Sequence, residues 1–234
     1  VLVSTANNTI GGTVAGARNL ISGNTQSGVF IVQATASGNQ VQGNLIGTNA
    51  AGTAALGNGF RGVEIQNAPA NLIGGTIAGA SNVVSGNTAS GIVIAGATAT
   101  NNQIQGNLIG TDAAGMAAIA NINGGVFVTD ASNNTIGGTA LAARNIISGN
   151  GLFGITLEST VTGTQILGNY IGTNAAGTAA IANLNGVLLG AGAVNNNTIG
   201  GTAPGAGNLI SGNTAIGVFI SSGGTNNQIL GNYI

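Results

Sequence analysis

The sequence predicts an all-β fold, a right-handed single-stranded parallel β-helix, which is a solenoid of about seven coils. Three observations predict it: an internal repeat of 63 residues, apolar residues with a strand-like period of two, and frequent Gly and Asn between the apolar segments. When one repeat is translated onto the next, like segments lie side by side in the same direction. That arrangement gives parallel pairing and a stack of coils.

The repeat is marked by the string Ile-Gly-Gly-Thr, which recurs every 63 residues and starts at Ile10, Ile73, Ile136 and Ile199. Each repeat contains two copies of a second pattern: Gly, then Val or Ile, then any residue, then an apolar residue. This pattern starts at seven positions 29 to 34 residues apart, which are Gly28, Gly62, Gly91, Gly125, Gly154, Gly186 and Gly217. We therefore expect a double coil in each 63-residue repeat, with coils of 29–34 residues.

Apolar residues within a coil follow the period of two that places alternate side chains on opposite faces of a strand. We expect Val29 and Ile31 to point inward, and Phe30 and Val32 outward. Gly and Asn tolerate the positive φ of tight corners, so helices are not expected. One interior column is predicted from Val29, Val63, Ile92, Val126, Ile155, Val187 and Val218, and a second from Ile46, Ile73, Ile109, Ile136, Ile171 and Ile199.

Asparagine and threonine also recur in register. The in-register asparagines, whose stacked amides are expected to form hydrogen-bonded ladders, are Asn24, Asn87, Asn150 and Asn213, and Asn44, Asn107, Asn169 and Asn232. One threonine follows each Ile-Gly or Ile-Gly-Gly mark, which predicts a single file of Thr13, Thr48, Thr76, Thr111, Thr139, Thr173 and Thr202. Such a file suggests an ice-binding solenoid as one alternative function, and a turn-stabilising role explains the same hydroxyls.

Charge excludes two classes of partner. The 234 residues include three basic and four acidic side chains, with a formal net charge of -1. Nucleic acids and anionic membranes are bound through basic surfaces, which this chain lacks. No apolar run of about 18 residues exists, so membrane insertion is not expected. Cysteine is absent, so no thiolate metal site is expected, and no cofactor is predicted.

Residues 1–234 are expected to form a single β-helix domain that is a fragment of a longer repeat region. The sequence opens inside an apolar segment at Val1 and stops at Ile234, inside a Gly-Asn-Tyr-Ile mark that elsewhere continues. Open coils expose unpaired N–H and C=O groups, which predicts end-to-end self-association.

The strings NNTIGGT, RNLISGN and GNQVQGNLIGTNAAGTAALGN resemble the parallel β-helix repeats of large bacterial secreted and cell-surface proteins. This resemblance covers essentially the whole chain and points to a branch of the pectate-lyase-like right-handed β-helix superfamily. It implies an extracellular or cell-surface location in a bacterium and a polysaccharide or cell-surface glycan as a partner. The superfamily includes lyases, hydrolases, phage tailspikes and adhesin-like repeats, so the resemblance implies the fold and no single activity.

Cleavage of polysaccharide on this fold requires clustered acids: two carboxylates for a hydrolase, or acids around a metal ion for a calcium-dependent lyase. The chain has four acids, and we expect them in four different columns: Glu64, Asp112, Asp130 and Glu158. Their equivalents in other repeats are uncharged. The sequence therefore predicts no catalytic, cofactor-binding or metal-binding residue, and no enzyme.

The remaining charged positions have local interpretations. Asp112 occupies the turn place that Asn49 and Asn174 hold in other repeats, which predicts a side-chain to backbone hydrogen bond within the turn. Arg18 and Arg144 share one place in their repeats, but uncharged residues fill it elsewhere. We therefore expect these arginines to favour solubility and not to form a ligand-binding ladder.

The favoured function is a non-enzymatic structural or adhesin-like extracellular repeat domain that forms an extended rod or filament. The alternatives are a carbohydrate-binding β-helix, a degenerate polysaccharide-active one using Glu64, Asp130 or Glu158, and the ice-binding solenoid. A shared groove for the acids and the phenylalanines expected to be exposed would favour carbohydrate, and these phenylalanines are Phe30, Phe60, Phe153 and Phe219.

Overall fold

The computed structural model describes residues 1–221 and 223–234, and its strands pair in parallel within three sheets. The sheets run the length of a β-solenoid of about seven turns. The described residues contain no α-helix and two short 3-10 turns, Ala15–Ala17 and Leu141–Ala143. The predicted all-β parallel solenoid is therefore confirmed, and its right-handed sense stays a prediction.

Each full coil contributes one strand to each sheet. Sheet 1 contains Leu2–Val3, Val29–Val32, Val63–Gln66, Ser90–Ala95, Gly124–Thr129, Phe153–Thr162, Asn185–Asn195 and Ile216–Ile220. Sheet 2 contains Thr9–Gly11, Gln40–Gln42, Leu72–Gly74, Gln103–Gln105, Thr135–Gly137, Gln165–Leu167, Thr198–Gly200 and Gln228–Leu230. Sheet 3 contains Leu20–Ile21, Leu45–Ile46, Val83–Val84, Leu108–Ile109, Ile146–Ile147, Tyr170–Ile171 and Leu209–Ile210.

The first predicted interior column lies in sheet 1 and is confirmed. Its register pairs each member with the next, from Val29 through to Val218. The members from Val29 to Val187 are at most 1% exposed. Full burial of one such side chain contributes roughly 1.5–3 kcal/mol, so each coil adds its own share of core stability.

The second predicted column is wrong because it mixes two sheets. Ile73, Ile136 and Ile199 lie in sheet 2 and stack with Ile10, Val41, Ile104, Ile166 and Ile229. The other three lie in sheet 3, and they are Ile46, Ile109 and Ile171. Both sheets use an inward β-branched residue followed by a glycine at positive φ, as at Gly74 (85°) and Gly47 (88°), so the same letters mark two different corners.

The longest connections lie at two of the three corners, and they alternate between coils. The connection from sheet 2 to sheet 3 is long in one coil (residues 12–19, 75–82, 138–145 and 201–208) and two residues long in the next. The connection from sheet 3 to sheet 1 is long in the coils where the other is short (residues 47–62, 110–123 and 172–184). We call these the 2–3 loops and the 3–1 loops.

This alternation explains why the repeat is a double coil. Strands stack at about 4.8 Å, which leaves too little height for a folded loop on every coil. The 3–1 loops instead stack on one another at twice that spacing: Ala113 N donates to Gly52 O, and Ala175 N donates to Gly115 O, both at 2.9 Å. A Cβ on Gly52 would come within 2.7 Å of the Ala113 Cβ, so the close stacking needs glycine there.

Asparagine ladders are confirmed, and they run with one rung per coil instead of one per repeat. In each ladder a side-chain Nδ2 donates to the Oδ1 of the next asparagine at 2.8–3.2 Å. The ladder at the 3–1 corner joins Asn24, Asn58, Asn87, Asn121, Asn150, Asn183 and Asn213. The ladder at the 2–3 corner joins Asn19, Asn44, Asn82, Asn107, Asn145, Asn169, Asn208 and Asn232.

A third ladder at the 1–2 corner was not predicted. It joins Asn8, Asn39, Asn71, Asn102 and Asn134, and resumes with Asn197 and Asn227. Thr164 occupies the place between the two parts. Its hydroxyl is buried without a hydrogen-bond partner among the described residues.

Candidate ligand-binding face

The outer face of sheet 3 is covered by the protein itself. Its outward side chains are apolar. Several of them are buried: Leu45 is 3% exposed, and Val83 and Ile146 are 6% exposed. The 3–1 loops fold over this face: a Cβ on Gly52 would lie 3.4 Å from Leu45 Cδ2, and one on Gly115 would lie 3.2 Å from Leu108 Cδ2. Little of this face is left for a ligand.

Sheet 2 presents a polar outer face. The outward places at the start of its strands hold glutamine, threonine or leucine, and the four exposed glutamines are Gln40, Gln103, Gln165 and Gln228. Two further glutamines bond the next coil, where Gln42 Nε2 donates to Gly74 O at 3.1 Å and Gln105 Nε2 to Gly137 O at 3.3 Å. Gln42 and Gln105 therefore join neighbouring coils, and this role needs no ligand.

Sheet 1 has the most varied outer face. One outward column runs, in register, through Leu2, Phe30, Glu64, Val93, Phe127, Thr156, Leu188 and Phe219. Aromatic, acidic and hydroxyl side chains follow one another there, in contrast to the uniform interior columns. This is the surface of the solenoid where neighbouring coils offer different chemistry.

A shallow cavity of about 340 Å³ lies on this face, over three neighbouring coils. Its walls are Ser90, Asn123, Val126, Phe127, Leu152, Phe153, Thr156 and Glu158, with Gly124 at its base. Gly124 is paired in register with Ser90 on one side and Phe153 on the other. Because Gly124 has no side chain, it leaves a gap in an outward column, which opens the hollow.

Glu158 lines this cavity with a carboxylate that has no described partner. Among the residues that the structure describes, its carboxylate has no hydrogen bond or ion pair, whereas the other three acids are engaged. A Cβ on Gly190 of the next coil would come within 2.6 Å of the Glu158 Cγ. Gly190 therefore makes the room in which this side chain lies.

A second hollow lies near the start of the chain. It is lined by Val1, Leu2, Gln26, Ser27, Phe30, Phe60 and Glu64. Here the carboxylate is already neutralised: Glu64 forms an ion pair with Arg61 and accepts a hydrogen bond from Ser27 Oγ at 2.7 Å. The Arg61 guanidinium also lies over the Phe60 ring, 4.4 Å from its centroid.

The acids and phenylalanines do not share one groove. The structure divides them between two hollows, with Phe30, Phe60 and Glu64 in one and Phe153 and Glu158 in the other. Phe219 lies outside both and is 43% exposed. The sequence reasoning missed Phe127, although its place in the outward column follows from the strand period.

The other two acids have local roles. Asp112 Oδ1 accepts hydrogen bonds from Met116 N at 2.7 Å and Ala117 N at 3.2 Å, which confirms the predicted turn bond. Asn49 makes the same bond to Thr53 N at 2.9 Å. Asp130, which follows sheet 1 at the 1–2 corner, accepts from Thr160 N at 3.2 Å. The four acids lie in four different columns, as predicted.

The two arginines of the 2–3 loops join neighbouring coils. Arg18 Nε donates to Gly43 O and Arg144 Nε donates to Gly168 O, each at 3.3 Å. Arg144 also lies over the Tyr170 ring, 3.9 Å from its centroid. These contacts give both arginines a structural role. From the sequence, they were expected only to favour solubility.

The predicted single threonine file is wrong. Thr13, Thr76, Thr139 and Thr202 lie in the 2–3 loops, and the other three lie in the 3–1 loops. Those three are buried, with Thr48 and Thr111 at 0% and Thr173 at 4% exposure. The error has the same cause as the mixed isoleucine column, because the Ile-Gly mark serves two corners. The ice-binding alternative depended on this file, whose threonines lie at two different corners.

Two kinds of feature are absent from residues 1–221 and 223–234. No group of three or more His, Cys, Asp or Glu side chains that would suit a metal ion lies within these residues. They also include no helix long and apolar enough to cross a membrane. Comparison with known proteins gave no match to a family model, a curated protein or a solved structure.

Proposed function

We propose that this chain is a non-enzymatic structural repeat domain, an adhesin-like rod or filament segment at the outside of a bacterial cell. The observation that carries the proposal is the pair of asparagine ladders that run unbroken from Asn19 to Asn232 and from Asn24 to Asn213. Each rung ties one coil to the next in the same geometry, so coils can be added without a change of design. Kinship with the pectate-lyase-like β-helices is part of this proposal and is supported by the parallel solenoid.

A length measurement tests the rod. Inserting one extra 63-residue repeat, a copy of residues 73–135, should lengthen the particle by two coil heights, about 10 Å, at constant width. Small-angle X-ray scattering of the original and extended chains measures both dimensions. A repeat that increased the width, or left the length unchanged, would contradict the rod.

End-to-end self-association of coil stacks belongs to the same proposal. In every ladder the donors face one way: Asn8 Nδ2 donates to Asn39 Oδ1, and Asn208 Nδ2 donates to Asn232 Oδ1. One edge of a coil stack therefore offers Oδ1 acceptors and the opposite edge offers amide donors, so copies should join head to tail. Sedimentation at rising protein concentration should show particles that grow in length, and a closed dimer would contradict this arrangement.

Binding of a polysaccharide or surface glycan is the second candidate function. The cavity on sheet 1 favours it, because Phe127 and Phe153 line it together with the polar side chains of Ser90, Asn123 and Thr156. Sugar sites combine such apolar contacts with a few placed polar groups. Binding to a glycan array that is lost on Phe153→Ala and kept on Phe219→Ala would support it.

A further inference from the structure

The cavity on sheet 1 has a charge that its surroundings do not neutralise. Glu158 lines it, and no described hydrogen bond or ion pair engages the carboxylate. Three arginines are present in the chain. Arg18 and Arg144 bond the backbone of neighbouring coils, and Arg61 is paired with Glu64 in the other hollow. A carboxylate at an apolar wall is therefore left for a ligand to pair.

The rings beside it favour the same sign of charge. Phe127 and Phe153 line the cavity together with Glu158. The face of an aromatic ring attracts a cation through its quadrupole, and a carboxylate adds a charge-assisted hydrogen bond. An acidic sugar would meet repulsion from the carboxylate, and a neutral sugar would leave it without a charged partner.

The remaining wall residues indicate a hydroxylated ligand. Ser90 and Thr156 are 8% and 6% exposed, and both line the cavity with the amide of Asn123. These groups can donate and accept hydrogen bonds with ring hydroxyls. A plain alkyl ammonium would leave them unused.

We propose that this cavity binds an amino sugar with a free ammonium group, as found in a glucosamine polymer. The ammonium pairs with Glu158, the apolar face of the sugar ring packs on Phe127 and Phe153, and the hydroxyls bond Ser90, Thr156 and Asn123. This inference rests on the carbohydrate-binding candidate and names its ligand class. The rod function does not depend on it.

The test is a calorimetric titration of the 234-residue chain with three probes: a glucosamine oligomer, its fully N-acetylated form and a galacturonate oligomer. The free-amine oligomer should bind about tenfold or more tightly than the acetylated one, since a charge-assisted bond contributes about that factor. The galacturonate oligomer should not bind. Affinity for the free amine should fall as salt is raised.

Two variants separate the cavity from general charge. Glu158→Gln keeps the shape of the side chain and should abolish the preference for the free amine. Asp112→Asn changes the net charge equally but leaves the fold intact, because Asn49 and Asn174 fill the same turn with the same bonds. It should bind like the original chain.

Each outcome decides something. Equal binding of the free and acetylated oligomers, or a preference that survives Glu158→Gln, overturns the amino-sugar inference and leaves carbohydrate binding standing. If none of the three probes binds and a glycan array is also negative, both ideas fail together. A loss of preference in Asp112→Asn as well would show that the selectivity comes from overall charge and not from this cavity.

Discussion

The 1–2 corner and the 2–3 corner perform the same task with different means. At the 2–3 corner a loop leaves every second coil, and the asparagine ladder is unbroken over eight rungs. At the 1–2 corner the described connections are shorter, with seven residues at most (33–39 and 96–102), and the ladder is interrupted at Thr164. Of these two corners, the one with the longer loops has the unbroken asparagine ladder.

The strands show what replaces the missing rung. In the coil of Thr164 and the coil after it, the strands of sheet 1 extend to Phe153–Thr162 and Asn185–Asn195, whereas the earlier ones have two to six residues. The extension pairs Thr160 with Ala193 and Thr162 with Asn195. Main-chain pairing therefore joins the coil of Thr164 to the next coil at this corner, whereas its pairing with the preceding coil ends at Thr129 and Glu158.

Removal of a rung from the unbroken ladder should have the largest effect. Asn107 Nδ2 donates to Ile73 O at 2.9 Å and to Asn145 Oδ1 at 3.1 Å, and Asn107 Oδ1 accepts from Asn82. Asn107→Ala leaves these buried groups without partners and should cost about 3 kcal/mol of unfolding free energy. Urea unfolding followed by circular dichroism measures it.

The control for that variant is Asn123→Ala, because Asn123 is exposed and its side chain makes no described hydrogen bond. It should change stability by less than about 0.5 kcal/mol. If the two variants lost stability equally, the ladder would not be the source of the effect.

The rung beside the gap should matter less. Asn134 accepts from Asn102 and donates to Ala99 O at 2.9 Å, but it has no following asparagine to bond. Asn134→Ala should therefore cost about 2 kcal/mol, less than Asn107→Ala. The same unfolding measurement applies, and a loss as large as that of Asn107→Ala would mean that the gap does not weaken its neighbour.

The sequence was sufficient to predict this kind of stack but not its layout. The first interior column was predictable because Val29 and its six equivalents each follow a glycine and are all β-branched. The division of the isoleucines between sheets 2 and 3 was not predicted, because Ile46 and Ile73 each lie in a copy of the string Asn-Leu-Ile-Gly. A second glycine, Gly75, follows Gly74, whereas Thr48 follows Gly47, but which corner each string forms is evident only once each coil is closed in three dimensions.

The candidate site was less predictable for a related reason. Glu158 and Phe153 were noted from the sequence, but the hollow between them depends on Gly124 and on the room above Gly190. Neither glycine differs in appearance from the many others in this chain. A missing side chain on an outward column is recognisable only after the register is known.

Repair of the gap should stabilise the 1–2 corner. Thr164→Asn supplies an Oδ1 for Asn134 and replaces a hydroxyl that is buried without a described partner, so unfolding free energy should rise by about 1 kcal/mol. Thr164→Val, which replaces the hydroxyl with a methyl group, is the matched control and should gain less. A double-mutant cycle with Asn134→Ala isolates the new bond. If the two Thr164 variants were equally stable, the long strands would already compensate for the rung.

The smallest effect is expected in the stacked 3–1 loops, where it tests whether loops as well as ladders join the coils. Gly115 N donates to Asp112 O at 2.9 Å, so Ala113 is the first central residue of a turn, a place that suits proline. Ala113→Pro keeps the turn but removes the N–H that bonds Gly52 O.

Ala50→Pro makes the same change in the first loop, where that N–H has no described partner. Ala50→Pro should gain about 0.5 kcal/mol from the stiffer unfolded chain, and Ala113→Pro should be less stable than it by about 0.5–1 kcal/mol. Equal thermal midpoints for the two variants would mean that the loops merely lie against each other, and that the coils are joined by the strands and the ladders alone.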